Sequence, residues 1–149
     1  MKKTIFITGA AKRIGKEIAL CFSEMGWNII IHYNSSKNDA QVLADEINGN
    51  NPDSAITVQG NLDVKEDVEK VINEVRDAFP TIDLLINNAS TFYPTPIEDI
   101  SEEHWDKLVG SNLKGPLFLI KGLKDKLKES KGSIITVSYT HLRAHETLL

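Results

Sequence analysis

Thr8-Gly9-Ala10-Ala11-Lys12-Arg13-Ile14-Gly15 is the stretch of sequence that decides the fold. It follows Thr4-Ile5-Phe6-Ile7, a β-branched apolar run typical of a parallel strand with both faces covered. The segment after it predicts an amphipathic helix that ends at Gly26. The apolar face expected for this helix consists of Ile14, Ile18, Cys21, Phe22 and Met25. A glycine turn between strand and helix offers free N–H groups to an anion, so we expect the pyrophosphate of a dinucleotide here.

The two glycines of this turn have different predicted roles. Gly9 permits the tight turn, and Gly15 lets the start of the helix lie close to the strand. The same spacing is found in ordinary strand-to-helix turns. Its position in the first βα unit favours phosphate binding.

Length and composition predict one globular domain. The chain has 149 residues, is 41% hydrophobic and carries a net charge of −4. Without a basic patch, nucleic acid and membrane surfaces are not expected as partners, and small-molecule chemistry is favoured. The apolar run before Gly9 is too short for a signal peptide, and no segment is long enough to span a bilayer, so we expect a cytoplasmic protein. Cys21, the single cysteine, is predicted to be a buried structural residue.

Strand and helix patterns alternate along the chain. The predicted strands are Thr4–Thr8, Asn28–Tyr33, Ala55–Gln59, Leu84–Asn87 and Gly132–Val137. The clearest helix follows Asp63, with an apolar stripe of Val68, Val71, Ile72, Val75 and Phe79. This alternation of strands and helices predicts a Rossmann-like, doubly wound α/β fold with strand order 3-2-1-4-5. Ligands are expected at the carboxyl ends of strands 1 and 4, where the winding reverses.

Two motifs together resemble the short-chain dehydrogenase/reductase family. Asn87-Asn88-Ala89-Ser90 is similar to the family's Asn-Asn-Ala-Gly, and the glycine turn is similar to its Thr-Gly-x3-Gly-x-Gly, with Arg13 in place of the middle glycine. Ala10-Ala11-Lys12-Arg13 and the segment from Thr91 to Ile97 resemble the pteridine reductase branch in particular. The resemblance covers residues 1 to about 136. It implies an NADPH-dependent oxidoreductase whose substrate is a pterin.

Two other functions stay open. A 3-oxoacyl or other ketone reductase of the same family has the same fold, and a non-catalytic dinucleotide-binding module would have the same motifs. The segment Ser90-x-Phe92-Tyr93-Pro94 favours a flat ring over a flexible chain as substrate.

The resemblance assigns roles to four residues. Asn88 would brace strand 4 beside the cofactor, and Ser90 would hydrogen-bond cofactor and substrate. Phe92 would stack on the pterin, or else anchor its loop by packing on the core. Asn112 matches the asparagine of the family's proton-relay tetrad, and is the one catalytic residue predicted; its alternative is a residue that stabilises a helix kink.

The end of the second strand predicts the cofactor. An NAD enzyme would carry Asp or Glu there, whereas the chain reads His32-Tyr33-Asn34-Ser35-Ser36-Lys37. Lys12, Arg13, Ser36 and Lys37 are expected to converge on a 2′-phosphate with no acid opposing them, although Lys37 is alternatively a surface residue. Asn61 stands where the family has Asp beside the adenine, and the Leu62 backbone is expected to contribute. The predicted cofactor-binding residues are Gly9, Lys12, Arg13, Ile14, Gly15, Tyr33, Asn34, Ser35, Ser36, Lys37, Asn61, Leu62, Asn88, Ala89 and Ser90.

The sequence departs from the family pattern after Thr136. The family continues with a catalytic Ser or Asp, a helix bearing Tyr-x3-Lys and two more strands. Residues 137–149 instead resemble one reading frame of a transposon-end adapter used in sequencing libraries. We therefore expect an NADP-binding domain at 1–136, a non-native tail at 137–149, an inactive fragment, and a homo-tetrameric full-length parent.

The tail contains three features that imitate functional sites. Tyr139-x3-Arg143 imitates Tyr-x3-Lys but follows the fifth strand too closely, and Ser138 lies near the family's catalytic serine. His141 and His145 have a metal-ligand spacing without a third ligand, so no metal site is predicted.

Overall fold

The computed structural model describes residues 2–138, and within them five parallel strands form one sheet. The strands are β1 (Thr4–Ile7), β2 (Asn28–Tyr33), β3 (Ala55–Gln59), β4 (Leu84–Asn87) and β5 (Ser133–Thr136). Their order is β3-β2-β1-β4-β5. The predicted fold class and strand order are confirmed.

The strands alternate with helices, as in βαβ units. The α-helices are α1 (Arg13–Glu24), α2 (Lys37–Asn50), α3 (Lys65–Ala78), α4 (Glu102–Val109) and α5 (Gly115–Glu129). A 3-10 turn at Ile97–Asp99 precedes α4, and a π-helical turn at Gly110–Lys114 joins α4 to α5. None of the helices in the described residues is long and apolar enough to cross a membrane.

Two apolar clusters lie on opposite faces of the sheet. On one face, Ile29 and Ile31 pack with Ala19 of α1 and Leu43 of α2. On the other face, Phe6, Ile30 and Leu85 pack with residues of α3 and α5. Val68, Val71 and Val75 are buried and Ile72 and Phe79 pack against that cluster, so the stripe predicted for α3 is confirmed.

The apolar face predicted for α1 is only partly correct. Gly15, Ala19 and Ser23 are the buried residues of α1, while Ile18 and Phe22 pack beside them. Cys21 is exposed, as are Ile14 and Met25, so the prediction of a buried cysteine is wrong. Small residues spaced four apart let the helix lie close to the sheet, and this turns Cys21 toward solvent.

The C-terminus of α1 forms as predicted. Gly26 has φ +78°, a conformation that favours glycine. Its N–H donates to the Ser23 carbonyl at 2.9 Å, and the N–H of Trp27 donates to the Phe22 carbonyl at 3.1 Å. This pair of bonds is a Schellman motif, which satisfies carbonyls at the helix end.

β5 forms one edge of the sheet. It pairs with β4 on one side, and all four of its residues are exposed. Ile134 and Ile135 are 43% and 49% exposed. The described residues therefore cover neither face of this strand fully.

Candidate functional site

The glycine turn after β1 has the conformation that its sequence predicts. Gly9 has φ +62°, and a Cβ on it would lie 3.0 Å from the Cα of Ala89. A Cβ on Gly15 would lie 2.4 Å from the Gly9 carbonyl oxygen and 2.7 Å from Nδ2 of Asn88. Only glycine at both positions lets α1, the turn and the segment after β4 approach this closely.

Arg13 also adopts a left-handed backbone conformation. Its φ is +53°, and it is the first residue of α1. A side chain in this region costs about 1–2 kcal/mol relative to glycine. The arginine at the start of α1 therefore lowers the stability of the fold relative to a glycine at this position.

Thr8 and Asn88 join the turn to β4. The hydroxyl oxygen of Thr8 accepts from the N–H groups of Asn88 and Ala89, each at 2.9 Å. The side-chain amide of Asn88 donates to the carbonyls of Thr8 at 3.0 Å and Gly9 at 3.1 Å. These four bonds fix the relative position of the segments that follow β1 and β4.

His32 joins the turn to the loop after β3. The N–H of Gly9 donates to Nδ1 of His32 at 3.1 Å, and Nε2 lies 3.0 Å from the carbonyl oxygen of Gly60. The His32 carbonyl also accepts from the N–H of Ala10 at 2.9 Å. Burial lowers the pKa of His32 to about 4, against a smaller raising effect of the Gly60 hydrogen bond. The ring is therefore neutral at physiological pH.

These segments surround a cavity of about 460 Å³ at the carboxyl ends of the strands. Most of the predicted cofactor-binding residues line it: Gly9, Lys12, Arg13, Ile14, Gly15, Asn34, Asn61, Leu62, Asn88, Ala89 and Ser90. Four further residues line it that the sequence analysis did not assign, namely His32, Asp63, Thr91 and Ser111. The structure thus brings the β1 turn, the β3 loop and the β4 segment together around one space.

Four predicted cofactor-binding residues do not line this cavity. Tyr33 is buried with the cluster on the α1 and α2 face, because successive residues of β2 point to opposite faces of the sheet. Ser35 and Lys37 are exposed beyond the end of β2, and Ser36 precedes the first residue of α2. The last three follow Asn34, which lines the cavity, directly in the sequence.

The expectation that no acid opposes the basic residues is wrong. Asp39, in the first turn of α2, lies with its Oδ2 3.0 Å from Nζ of Lys12. Both side chains are about half exposed. No acid stands directly after β2, but the first turn of α2 brings Asp39 to Lys12 from further along the chain.

The loop after β3 is organised around Asn61. Its Oδ1 accepts from the N–H of Asp63 at 3.1 Å, and its own N–H donates to Oδ2 of Asp67 at 2.7 Å. Leu62 is buried between these residues. Burial raises the pKa of Asp63, and the nearby Lys107 partly offsets this. Oδ1 of Asp63 is buried without a hydrogen-bond partner among the described residues.

Asn112 lies in the π-helical turn and binds the loop after β4. Its Nδ2 donates to the Thr91 carbonyl at 2.7 Å, and its Oδ1 accepts from the Thr91 N–H at 3.2 Å. Phe92, the next residue, is 78% exposed. The alternative in which Phe92 anchors the loop by packing on the core is therefore wrong.

Comparison with known proteins decides the family. The model of the short chain dehydrogenase family matches residues 3–144. This chain belongs to the short-chain dehydrogenase family.

Relatives within the short-chain dehydrogenase family differ in their named activities. The chain is 34% identical over 139 residues to the 3-oxoacyl-[acyl-carrier-protein] reductase FabG of Staphylococcus aureus, covering 93% of this chain and 56% of that protein. It is 32% identical to pteridine reductase 1 of Leishmania tarentolae, covering 90% of this chain and 57% of that protein. The chain thus spans little more than half the length of these relatives.

A solved structure of the short-chain dehydrogenase family supports the fold. The FolM alternative dihydrofolate reductase 1 from Brucella suis, in complex with NADP, superimposes with a TM-score of 0.82 at 30% identity. The likeness covers 89% of this chain and 55% of that one.

Several features of the tail lie outside the described residues. Tyr139, His141, Arg143 and His145 are among them, whereas Ser138 is the last described residue and is exposed. The family match extends past residue 136 into this segment. Within residues 2–138, no group of three His, Cys, Asp or Glu residues is arranged to hold a metal ion.

Proposed function

We propose that residues 1–136 are the dinucleotide-binding part of a short-chain reductase that uses NADPH to reduce a pterin. The observation that carries the proposal is the cavity at the carboxyl ends of the strands, bordered by a glycine turn and by Lys12 and Arg13. When bound, NADPH supplies the hydride. The chain's own residues bind and orient the cofactor.

The residues present fit a dinucleotide pyrophosphate. The first N–H groups of a helix have no acceptor within it. In α1 these groups belong to Arg13, Ile14 and Gly15, which line the cavity. The positive end of the α1 dipole adds to this attraction for an anion. Gly9 and Gly15 let the turn, α1 and the segment after β4 pack closely around the cavity, since a Cβ on either would meet backbone atoms.

The basic residues favour a cofactor with a 2′-phosphate. Lys12 and Arg13 line the cavity, and Ser36 and Lys37 follow Asn34, another residue that lines it, within three positions of the sequence. No Asp or Glu stands directly after β2 to accept bonds from a ribose 2′-hydroxyl. Charge-assisted hydrogen bonds contribute about 1.5–3 kcal/mol each, so two of them are enough to set the preference for NADPH.

The loop after β4 favours a flat substrate. Ser90 and Thr91 line the cavity, and the exposed ring of Phe92 follows them. Asn112 holds this loop through both backbone atoms of Thr91, and we propose that this contact positions the loop in the parent enzyme. A free aromatic face suits stacking on a planar heterocycle such as a pterin.

The second candidate function is a 3-oxoacyl reductase. It is favoured by the 34% identity to FabG of Staphylococcus aureus. The two candidates share the cofactor and differ in the substrate that the β4 loop meets.

Binding measurements on the chain test both the cofactor and the substrate class of the proposal. Calorimetry with NADPH and NADH should give at least about tenfold tighter binding of NADPH. Equal affinities, or a preference for NADH, would contradict the cofactor assignment. The chain saturated with NADP+ should then bind biopterin more tightly than acetoacetyl-coenzyme A, and the reverse order would select the 3-oxoacyl function.

A further inference from the structure

His32 connects three strands at the point where they end. His32 itself belongs to β2. Its Nδ1 accepts from the N–H of Gly9 after β1, and its Nε2 contacts the carbonyl of Gly60 after β3. The ring is almost fully buried and meets Phe6 edge to face, with ring centroids 6.4 Å apart. It also lines the cavity proposed for the dinucleotide.

The two backbone partners determine which nitrogen carries the proton. An N–H group can only donate, so Nδ1 beside Gly9 must be the unprotonated nitrogen. A carbonyl can only accept, so Nε2 beside Gly60 carries the hydrogen. The neutral ring with hydrogen on Nε2 is therefore the form that satisfies both loops.

His32 also determines which amides of the turn are available to a ligand. Its ring accepts from the N–H of Gly9, and its carbonyl accepts from the N–H of Ala10. With these two donors engaged, the turn presents the later amides at the start of α1. A turn already held in this form loses less conformational freedom when an anion binds.

We propose that His32 is a positioning residue for the pyrophosphate of the dinucleotide, holding the glycine turn after β1 in register with the loop after β3. The inference rests on the proposed function. A merely structural histidine would stabilise the fold without favouring one part of the ligand over another. The bond from Gly9 to Nδ1 fixes the backbone of the turn, whose amides face the pyrophosphate, whereas Lys12 and Arg13 reach the 2′-phosphate through long, flexible side chains. Loss of this bond is therefore expected to weaken contacts to the pyrophosphate more than those to the adenine and the 2′-phosphate.

The charged residues around His32 do not alter this assignment. Lys12 and Arg13 at the start of α1, and Asp63 before α3, share the cavity with it. On the β1 and β3 sides it meets Phe6 and Gly60, which carry no charge. The lowered pKa of His32 has burial as its main cause, so the ring stays an acceptor toward Gly9 over the physiological range.

Two similar polar variants separate the two hydrogen bonds. In His32→Asn, the side-chain oxygen replaces Nδ1 and still accepts from Gly9. In His32→Gln, the longer amide reaches the position of Nε2 and retains only the bond to Gly60. Affinity is measured for NADP+ and for adenosine 2′-monophosphate, which has the adenine and the 2′-phosphate but no pyrophosphate.

We expect His32→Gln to bind NADP+ about tenfold more weakly, and His32→Asn to stay within about threefold of wild type. Affinity for adenosine 2′-monophosphate should change by less than about twofold in both variants. An equal loss for both ligands, or the reverse order of the variants, would overturn the inference and leave the proposed function intact. Failure of the wild-type chain to bind NADP+ would overturn both.

A pH profile serves if His32→Gln does not fold. In the wild-type chain, the ratio of NADP+ affinity to adenosine 2′-monophosphate affinity should fall below about pH 5, as His32 takes up a proton on Nδ1. Both ligands contain the 2′-phosphate and the adenine, so titration of these groups affects both affinities and cancels in their ratio. It should stay constant in His32→Asn, and a constant ratio in the wild type would contradict the inference.

Discussion

Nζ of Lys12 lies 3.0 Å from Oδ2 of Asp39, so one of the two basic residues at the cavity is already paired with a carboxylate. The pair joins the start of α1 to the first turn of α2. Lys12 must therefore exchange this partner, at least in part, when it binds a phosphate.

Asp39→Asn should increase the preference for NADPH. Removing the carboxylate frees Lys12, and because exposed ion pairs contribute less than about 1 kcal/mol, we expect a two- to fivefold gain in NADPH affinity. NADH affinity should not change. Asp45→Asn, on the same helix but bonded to Gln41, serves as the control. Calorimetry that shows equal gains for both cofactors would exclude a specific role of the pair.

Arg13→Gly should stabilise the fold while weakening cofactor binding. Glycine relieves the positive φ, which raises the free energy of unfolding by about 1 kcal/mol over that of Arg13→Ala. Both variants should lose about tenfold in NADPH affinity, because both lack the guanidinium. Lys131→Gly is the control, since Lys131 also has φ +53° but does not line the cavity. Urea unfolding would contradict the prediction if Gly and Ala at position 13 gave equal stability.

His32 should make the fold less stable as the pH falls from about 6.5 to about 4. Its pKa is lowered from 6.5 to about 4 by burial, so in this range the unfolded chain binds a proton that the folded chain does not. The contribution of His32 to the free energy of unfolding is therefore fully present above pH 6.5. Between pH 6.5 and pH 4 this contribution decreases by about 1.4 kcal/mol per pH unit, or about 3 kcal/mol in total. The difference in unfolding free energy between wild type and His32→Asn isolates this contribution. A difference that does not vary with pH would contradict it.

Phe92→Ala should weaken pterin binding and spare the cofactor. Stacking of a planar ring contributes about 0.5–1.5 kcal/mol, so biopterin affinity of the NADP+-bound chain should fall about three- to tenfold. NADP+ affinity should change by less than about twofold, because Phe92 does not line the cofactor cavity. Phe118→Ala, an exposed aromatic of α5, is the matched control. Unchanged biopterin affinity would count against the pterin proposal.

Ile135→Lys should reduce self-association of the chain. β5 leaves one edge unpaired within the described residues and exposes Ile134 and Ile135, and such edges pair with other chains. Sedimentation velocity should show concentration-dependent association of the wild type that the lysine suppresses. Val42→Lys removes a similarly exposed apolar residue from α2 and should have no effect. Equal suppression by both variants would indicate a general effect of charge.

Most of the fold could be predicted from local patterns. Runs such as Ile29-Ile30-Ile31 are apolar on both faces, so they identify strands covered by helices on each side. The face of α1 was harder to predict, because Gly15, Ala19 and Ser23 contact the sheet through their small size, which hydrophobicity does not report. Cys21 was misplaced for this reason.

The site was predictable where a motif carries the geometry. Gly9, Gly15 and Asn88 belong to such motifs, and the structure brings them together. His32 and Asp39 act through contacts across the sheet and between helices, which sequence spacing does not specify. A polar residue inside an otherwise apolar strand was the available signal for His32, since a buried polar group needs partners. The domain boundary, the tetramer and the cytoplasmic location stay predictions.

The π-helical turn between α4 and α5 has a consequence for how this part of the chain tolerates change. The N–H of Gly115 donates to the Gly110 carbonyl five residues earlier, so the turn contains one residue more than an α-helical turn. Deleting the exposed Leu113 would leave α4 and α5 as one regular rod, with Leu119, Leu123 and Leu127 still facing the sheet. Gly115 packs closely against the loop after β3, where a Cβ on it would lie 2.7 Å from the Leu62 carbonyl oxygen. We therefore expect the deletion to disturb that contact as well as the amide of Asn112 that reaches Thr91. We therefore expect this one-residue insertion to serve the loops after β3 and β4, beside the cavity, and not the regularity of the helix that contains it.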